Sequence, residues 1–345
     1  MTINRGMLWK KKMRALLFPK PWVVKLIEVD IPKPGPNEVL AEIRSVGICG
    51  SDVGIFEGAH WIVAHEPGGH GHETGAIAIE VGTNIEGITE GDHLARMGKG
   101  YAEYTTHVNV IGHGKDEKIG ALPIVRNDLS MDEISFADAV GCAINCYERA
   151  EFERIEGEKK AIVLGLGPIG LILTQILINN GIEVAASEPF HHKRHLAAKW
   201  GAKVYNPNDF SRPTHGNETV GNQIKNEFGE AHAVFEMAGH NDTLIDAISL
   251  VKSGFRVIVF GAQKMQNIPY VNCRKKGIEL VYPEAMVNSK ANKSYWNDAL
   301  NMIASKKLEL EKLITKRITL EEAVNAFKFY DREKWIKIIV EPQKR

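Results

Sequence analysis

Apolar and polar residues alternate in short runs over roughly the first 150 positions, in "WVVKLIEV", "EVLAEIRSVG", "GAIAIEVG" and "YAEYTTHVNV", each run broken by glycine or proline. Alternation of this kind predicts half-buried strands, so this part reads as β-rich. From Lys159 the rhythm changes. The strand patterns "AIVLGLG", "IEVAASE", "HAVFEMAG", "FRVIVFG" and "GIELVYP" are interleaved with the helical patterns "LILTQILINNG", "HHKRHLAAKWGA" and "NDTLIDAISLVKSG". Strands alternating with helices predict a parallel, doubly wound sheet in an α/β protein. Beyond about residue 290, "SYWNDALNMIASKK" and "TLEEAVNAFKFYD" predict amphipathic helices and "WIKIIVEP" a closing strand.

A chain of 345 residues can hold two cores. Its 43 basic and 43 acidic residues cancel, which argues against nucleic acid as a partner and leaves small-molecule work as the default. The four cysteines, Cys49, Cys142, Cys146 and Cys273, are too few and too unevenly placed for a disulfide framework, and a cytoplasmic setting is expected. The apolar run "ALLF" near the basic start is too short for a signal-peptide core. The longest apolar stretch, residues 161–178, contains glycines, Pro168 and Gln175, which argue against a membrane span.

That stretch carries the first chemical signal. "GLGPIG" fits GxGxxG, with Pro168 and Ile169 between its second and third glycines, and it follows a strand pattern and opens a helix. Gly165 permits the tight turn, Gly167 lets the backbone approach a pyrophosphate, and Gly170 allows close packing of helix on strand. Glu188 ends the next strand 18 residues past the last glycine. Its carboxylate would accept from both ribose hydroxyls and repel a 2′-phosphate, which favours NAD over NADP. Lys193 and Arg194 could offset that repulsion. His191, His192 and His195 read as solvated or adenosine-flanking side chains on the following helix.

The second signal is "GICGSDVGIFEG" with "GHGHETGAIAIEVG". Cys49 and His72 are natural zinc ligands on adjacent loops, and a catalytic zinc needs a third protein ligand and an open position. With "EVLAEIRSVGICGSD", "GHETGAIAIEVG", "GDHLAR", "YAEYTTH", "GLGPIG" and "LEKLITKRITLEEAVNAF" in this order, the chain resembles the zinc-containing medium-chain alcohol dehydrogenases over nearly its whole length. "CGSD" and "GHE" resemble the sorbitol and threonine dehydrogenase branch.

The resemblance implies a GroES-like β-barrel catalytic domain over residues 1–152, a Rossmann domain over 153–292 and a return to the catalytic domain over 293–345. It implies zinc held by Cys49 and His72, with Glu73 entering or leaving as a conditional ligand. The pair His65 and Glu66 is a rival, but it lies only 16 residues after Cys49, whereas His72 lies 23 after. Alignment puts the third ligand at Asp138, preferred to Cys142; Cys142 and Cys146 otherwise read as small core residues. Ser51 matches the hydroxyl that takes the proton from the bound alcohol, and Asp52 the carboxylate that orients the ligand histidine. "GSD" is also an ordinary helix cap. Gly54 stands where many relatives carry a relaying histidine, so the relay would run through ribose and water or through His60; His60 and Trp61 align near the substrate pocket or lie on a surface loop. The cysteine lobe for a structural zinc has no counterpart, so at most one zinc per subunit is expected. The implied reaction is hydride transfer between a secondary alcohol, such as a polyol or sugar, and NAD, in a homodimer or homotetramer paired through "GIELVYP". The alternatives are a zinc-free quinone or enoyl reductase, against which Cys49, His72 and Glu73 argue, and a catalytically silent nucleotide-binding protein.

Overall fold

A computed structural model describes residues 11–58, 66–69, 71–106, 123–209, 219–261, 268–291 and 293–345. Its contacts divide the chain into two units, Met1–Asp138 with Leu300–Arg345, and Ala139–Ala299. The resemblance implies borders near 152 and 292; the contact division falls inside the helices Ala137–Arg149 and Trp296–Ala304. No helix among the described residues is long and apolar enough to cross a membrane.

The first unit is built on the strand Val39–Gly47. It pairs antiparallel with Glu73–Val81, Tyr104–Thr106 and Lys337–Val340, so only Arg44 of its nine residues is exposed. The main sheet runs Ile314–Ile318, Lys337–Val340, Val39–Gly47, Glu73–Val81, His93–Ala95 and Ile124–Val125, which draws the C-terminal segment into a sheet begun near the N-terminus. Val39, Ile43, Val46, Leu94, Phe327 and Ile338 belong to its core. Gly47 stands opposite Glu73 in this register. A Cβ at Gly47 would overlap the Glu73 carboxylate, so this glycine lets an acidic side chain lie across the strand.

The second unit holds a six-stranded parallel sheet in the order Lys203–Tyr205, Glu183–Ser187, Lys160–Leu164, Ala231–Glu236, Val251–Val259, Glu279–Val281. Numbered along the chain this is 3-2-1-4-5-6, the doubly wound order whose switch point lies beyond the carboxyl ends of Lys160–Leu164 and Ala231–Glu236. The pattern "NDTLIDAISLVKSG" predicts helix as far as Gly254. Instead the helix Asn241–Leu250 ends there and Val251 opens a strand, paired with Ala231. Sheet pairing of a β-branched residue outweighs the local helical period.

On that helix Asp246 lies against the N-terminal turn of Val220–Glu227, close enough that a Cβ on Gly221 would overlap its carboxylate. Burial, reinforced by the charge of Asp242, raises its pKa from 3.8 to about 6. The folded state therefore binds this proton more tightly than the unfolded chain, and the ionised form lowers stability above pH 6. Asp246→Asn is expected to raise the free energy of unfolding by about 2 kcal/mol at pH 7.5. In urea titrations the gain should shrink as the pH falls through the window between the two pKa values, and a gain that does not change with pH would contradict the assignment.

Candidate functional site

Cys49 is the N-cap of the helix Gly50–Phe56, which begins where the central strand of the first unit ends. Asp52, in the first turn, accepts from the Cys49 backbone amide through Oδ2 at 3.0 Å. This fixes the thiol at the helix mouth. His72 and Glu73 stand where the paired strand Glu73–Val81 begins. One donor atom each from Cys49, His72 and Glu73 lie within 4.8 Å of one another, the one such group of His, Cys, Asp or Glu among the described residues.

His72 lies between two carboxylates. Its Nδ1 is 3.6 Å from Asp52 Oδ1, and its Nε2 is 3.9 Å from Oδ1 of Asp138, in the first turn of Ala137–Arg149. Burial disfavours a charged ring, yet Asp52, Cys49 and Asp138 outweigh it and hold His72 well above its ordinary pKa. The negative charge gathered here suits a cation. Asp52 Oδ1 is a buried oxygen with no hydrogen bond, although it faces Nδ1. A thiol, an imidazole and nearby carboxylates form a donor set that fits zinc, and the waiting Oδ1 is the partner a zinc-ligating histidine requires on its other nitrogen.

Two further residues complete the surroundings, and the sequence patterns do not single them out. Lys337, on the returning strand, forms an ion pair with Glu73 Oε2, and both side chains are 2% exposed. Burial opposes the lysine's charge, but Glu73 and Cys49 raise its pKa all the same. Tyr101 is fully buried and donates from its phenol to Asp52 Oδ2 at 2.6 Å. Burial and then the Asp52 charge hold that phenol well above its ordinary pKa, so it remains a donor.

Ser51 is half-buried in the helix Gly50–Phe56, and Gly54 is interior to it. Asp52, the third residue of the helix, closes a capping box with the N-cap Cys49 through Oδ2 and faces His72 with Oδ1. Cys142 and Cys146 are buried, and burial pushes the Cys146 thiol up. Of the rival pair, Glu66 is exposed and paired with Lys99, while His65, His60 and Trp61 lie outside the described residues.

In the second unit Gly165 has φ +103° and directly follows the strand Lys160–Leu164. A Cβ at Gly170 would overlap the Gly165 carbonyl oxygen, whereas one at Gly167 would meet nothing, leaving open space at the N-cap of the helix Pro168–Asn179. That arrangement suits a phosphate approaching free amides. Pro168 occupies the first turn, where its missing N–H is no loss, and Ile169 follows it. Glu188, 5% exposed, accepts from Leu166 N at 2.8 Å and Phe190 N at 3.3 Å, which ties the glycine turn to the end of the second strand. Lys193 is buried over the Phe190 ring, and Arg194 donates to the Glu188 and Pro189 carbonyls. His191 and His195 are exposed, with rings stacked at 6.1 Å. On the other side of the switch point, the fully buried Glu236 accepts from Ala238 N, Gly239 N and Thr243 Oγ1. It fixes the loop that closes over Gly165, a role that only the folded chain reveals.

Comparison with known proteins agrees with both units. Residues 35–122 match the alcohol dehydrogenase GroES-like domain, and residues 168–305 match the zinc-binding dehydrogenase family. The chain is 26% identical over 342 residues to D-xylulose reductase of Saccharomyces cerevisiae, covering 91% of this chain and 92% of that one. It is 32% identical over 221 residues to L-threonine 3-dehydrogenase of Pyrococcus horikoshii, covering 57% of this chain and 62% of the relative. A protein of Sinorhizobium meliloti 1021 described as a zinc-binding dehydrogenase, solved with NADP bound, has the same fold. The TM-score is 0.81 at 22% identity, covering 96% of this chain and 100% of that one.

Proposed function

Because the chain belongs to the zinc-containing medium-chain alcohol dehydrogenase family, we propose that it transfers hydride between a secondary alcohol of the polyol or sugar class and NAD. The observation that carries this reading is the convergence of Cys49, His72 and Glu73 on one point, with Asp138 facing the same histidine. In this reading Cys49, His72 and Asp138 hold one catalytic zinc. Glu73 is the conditional fourth ligand, because its Oε2 is already committed to Lys337. When bound, the zinc supplies Lewis acidity that lowers the pKa of the substrate hydroxyl, and NAD supplies the hydride acceptor.

The chain's own residues do the rest. Asp52 orients His72, and the Ser51 hydroxyl relays the proton, accepting it from the substrate hydroxyl as it passes its own on. Gly54 offers no side chain to carry it further, so the onward path runs through ribose and water or through His60. The amides at Gly167 and the start of Pro168–Asn179 receive the pyrophosphate.

Assayed with a panel of secondary alcohols and polyols, the protein is expected to reduce NAD. The activity should be lost on chelation and restored by zinc. A zinc-loaded protein that forms no NADH with any of them would contradict the reading.

Glu188 sets the choice of dinucleotide. A 2′-phosphate bound beside its buried carboxylate would meet like charge, and Arg194 is committed to two carbonyl oxygens. The expected preference in kcat/KM for NAD over NADP is about tenfold or more, equivalent to about 1.4 kcal/mol; a preference for NADP would overturn this assignment. The edge strand Glu279–Val281 and the exposed Tyr270, Val271 and Tyr282 near it support a homodimer or homotetramer. Four free thiols support a cytoplasmic setting.

A further inference from the structure

The two oxygens of Asp52 have different partners. Oδ2 accepts from the Cys49 amide at 3.0 Å and from the Tyr101 phenol at 2.6 Å. Oδ1 accepts from neither, is buried, and faces His72 Nδ1 at 3.6 Å. A carboxylate is planar, so two donors fixed on one oxygen also fix where the other oxygen points. The Cys49 amide is one of these donors and sits on a helix cap. The other is a phenol that has little freedom to move. The Tyr101 ring is fully buried against Phe18 and Phe327, edge-on to the latter at 5.3 Å. Its backbone is tied on both sides, through its carbonyl to Leu16 N and through its amide to Gly68 O. The phenol has one proton, and the Gly47 carbonyl oxygen at 3.4 Å competes for it poorly against Asp52 at 2.6 Å.

We propose that Tyr101 is a positioning residue of the metal site: it holds Asp52 so that Oδ1 is placed to accept a hydrogen bond from the His72 Nδ1–H and Nε2 is left for the metal. The inference rests on the reading of Cys49 and His72 as ligands. It adds to that reading a third contributor, from a different segment of the chain, which acts only through Asp52. Cys49 and His72 are thereby linked through one carboxylate, so the backbone of one ligand and the ring of the other cannot shift independently. An unpaired buried carboxylate oxygen is costly to leave unsatisfied. Binding of a metal at Nε2, with the proton kept on Nδ1, relieves this.

Tyr101→Phe removes one oxygen and keeps the ring in its aromatic cluster. Tyr104→Phe is the control, because its phenol donates to Glu42 Oε1 at 3.4 Å. Zinc affinity is measured by competition with a chromophoric chelator. The thiolate-to-cobalt absorption of the cobalt-substituted protein provides a readout independent of turnover. Tyr101→Phe is expected to weaken zinc binding by about tenfold and to shift the cobalt band, while Tyr104→Phe changes neither. In an Asp52→Asn background, Tyr101→Phe is expected to add no further loss, because its pathway is already broken. Unchanged affinity and spectrum in Tyr101→Phe would overturn the proposal, as would an equal loss in both backgrounds. Failure of the ligand reading itself is separately visible: His72→Ala would then bind zinc as tightly as the wild type.

Discussion

Replacement of His72 by alanine is expected to abolish tight zinc binding and to lower kcat/KM for alcohol oxidation by about a thousandfold or more. His72 is flanked by Asp52 on Nδ1 and Asp138 on Nε2, and its nitrogen converges with Cys49 and Glu73. Without the imidazole, a thiol and carboxylates face one another with nothing between them to bind the ion in a fixed geometry, and the Lewis acidity worth several kcal/mol is lost. The effect should appear in kcat, with affinity for NAD retained, because the residues proposed to bind the dinucleotide belong to a separate unit of the chain. Steady-state kinetics beside equilibrium NAD titration checks this. A His72→Ala enzyme with wild-type kcat would remove the histidine from the mechanism.

Lys337→Met is expected to destabilise the first unit by about 3–5 kcal/mol, the consequence of leaving one partner of a buried pair uncompensated. Both Lys337 and Glu73 are 2% exposed, so water cannot replace the lost partner. The same substitution in a Glu73→Gln background should cost far less, because no buried charge remains to be stranded. Chemical denaturation of the single and double variants measures the difference. Equal destabilisation in both backgrounds would show that the lysine acts through its packing and not through the ion pair.

Lys337 and Tyr101, beside the candidate metal site, show where sequence reading reaches its limit. The glycine turn and Glu188 could be read because their chemistry is local: strand, turn, helix and next strand follow within one short stretch. Cys49, Asp52, His72 and Glu73 could be read because their residue types and spacing carry a resemblance to a known family. Lys337 could not. It stands 264 residues from Glu73, and only the parallel pairing of Lys337–Val340 with Ile314–Ile318, together with its antiparallel pairing with Val39–Gly47, brings it there. In "WIKIIVEP" it looks like the polar position of an alternating strand, and that is the pattern that hid it. Tyr101 was hidden in the same way, as one aromatic in "YAEYTTHVNV", because its hydroxyl acquires meaning only through Asp52. The misread end of the helix Asn241–Leu250 has the same origin: Val251 obeys a partner strand that the local period does not contain. Asp138 occupies an intermediate position. Alignment selected it over Cys142, and the helix Ala137–Arg149 turns its carboxylate toward His72.

The central claim is that Cys49, His72 and Asp138 hold one zinc. Elemental analysis of protein purified without chelator, beside Asp138→Ala and Cys142→Ala, tests it most directly. The account predicts about one zinc per chain in the wild type and in Cys142→Ala, and its loss in Asp138→Ala. A wild-type protein without zinc, or zinc kept by Asp138→Ala and lost by Cys142→Ala, would contradict it.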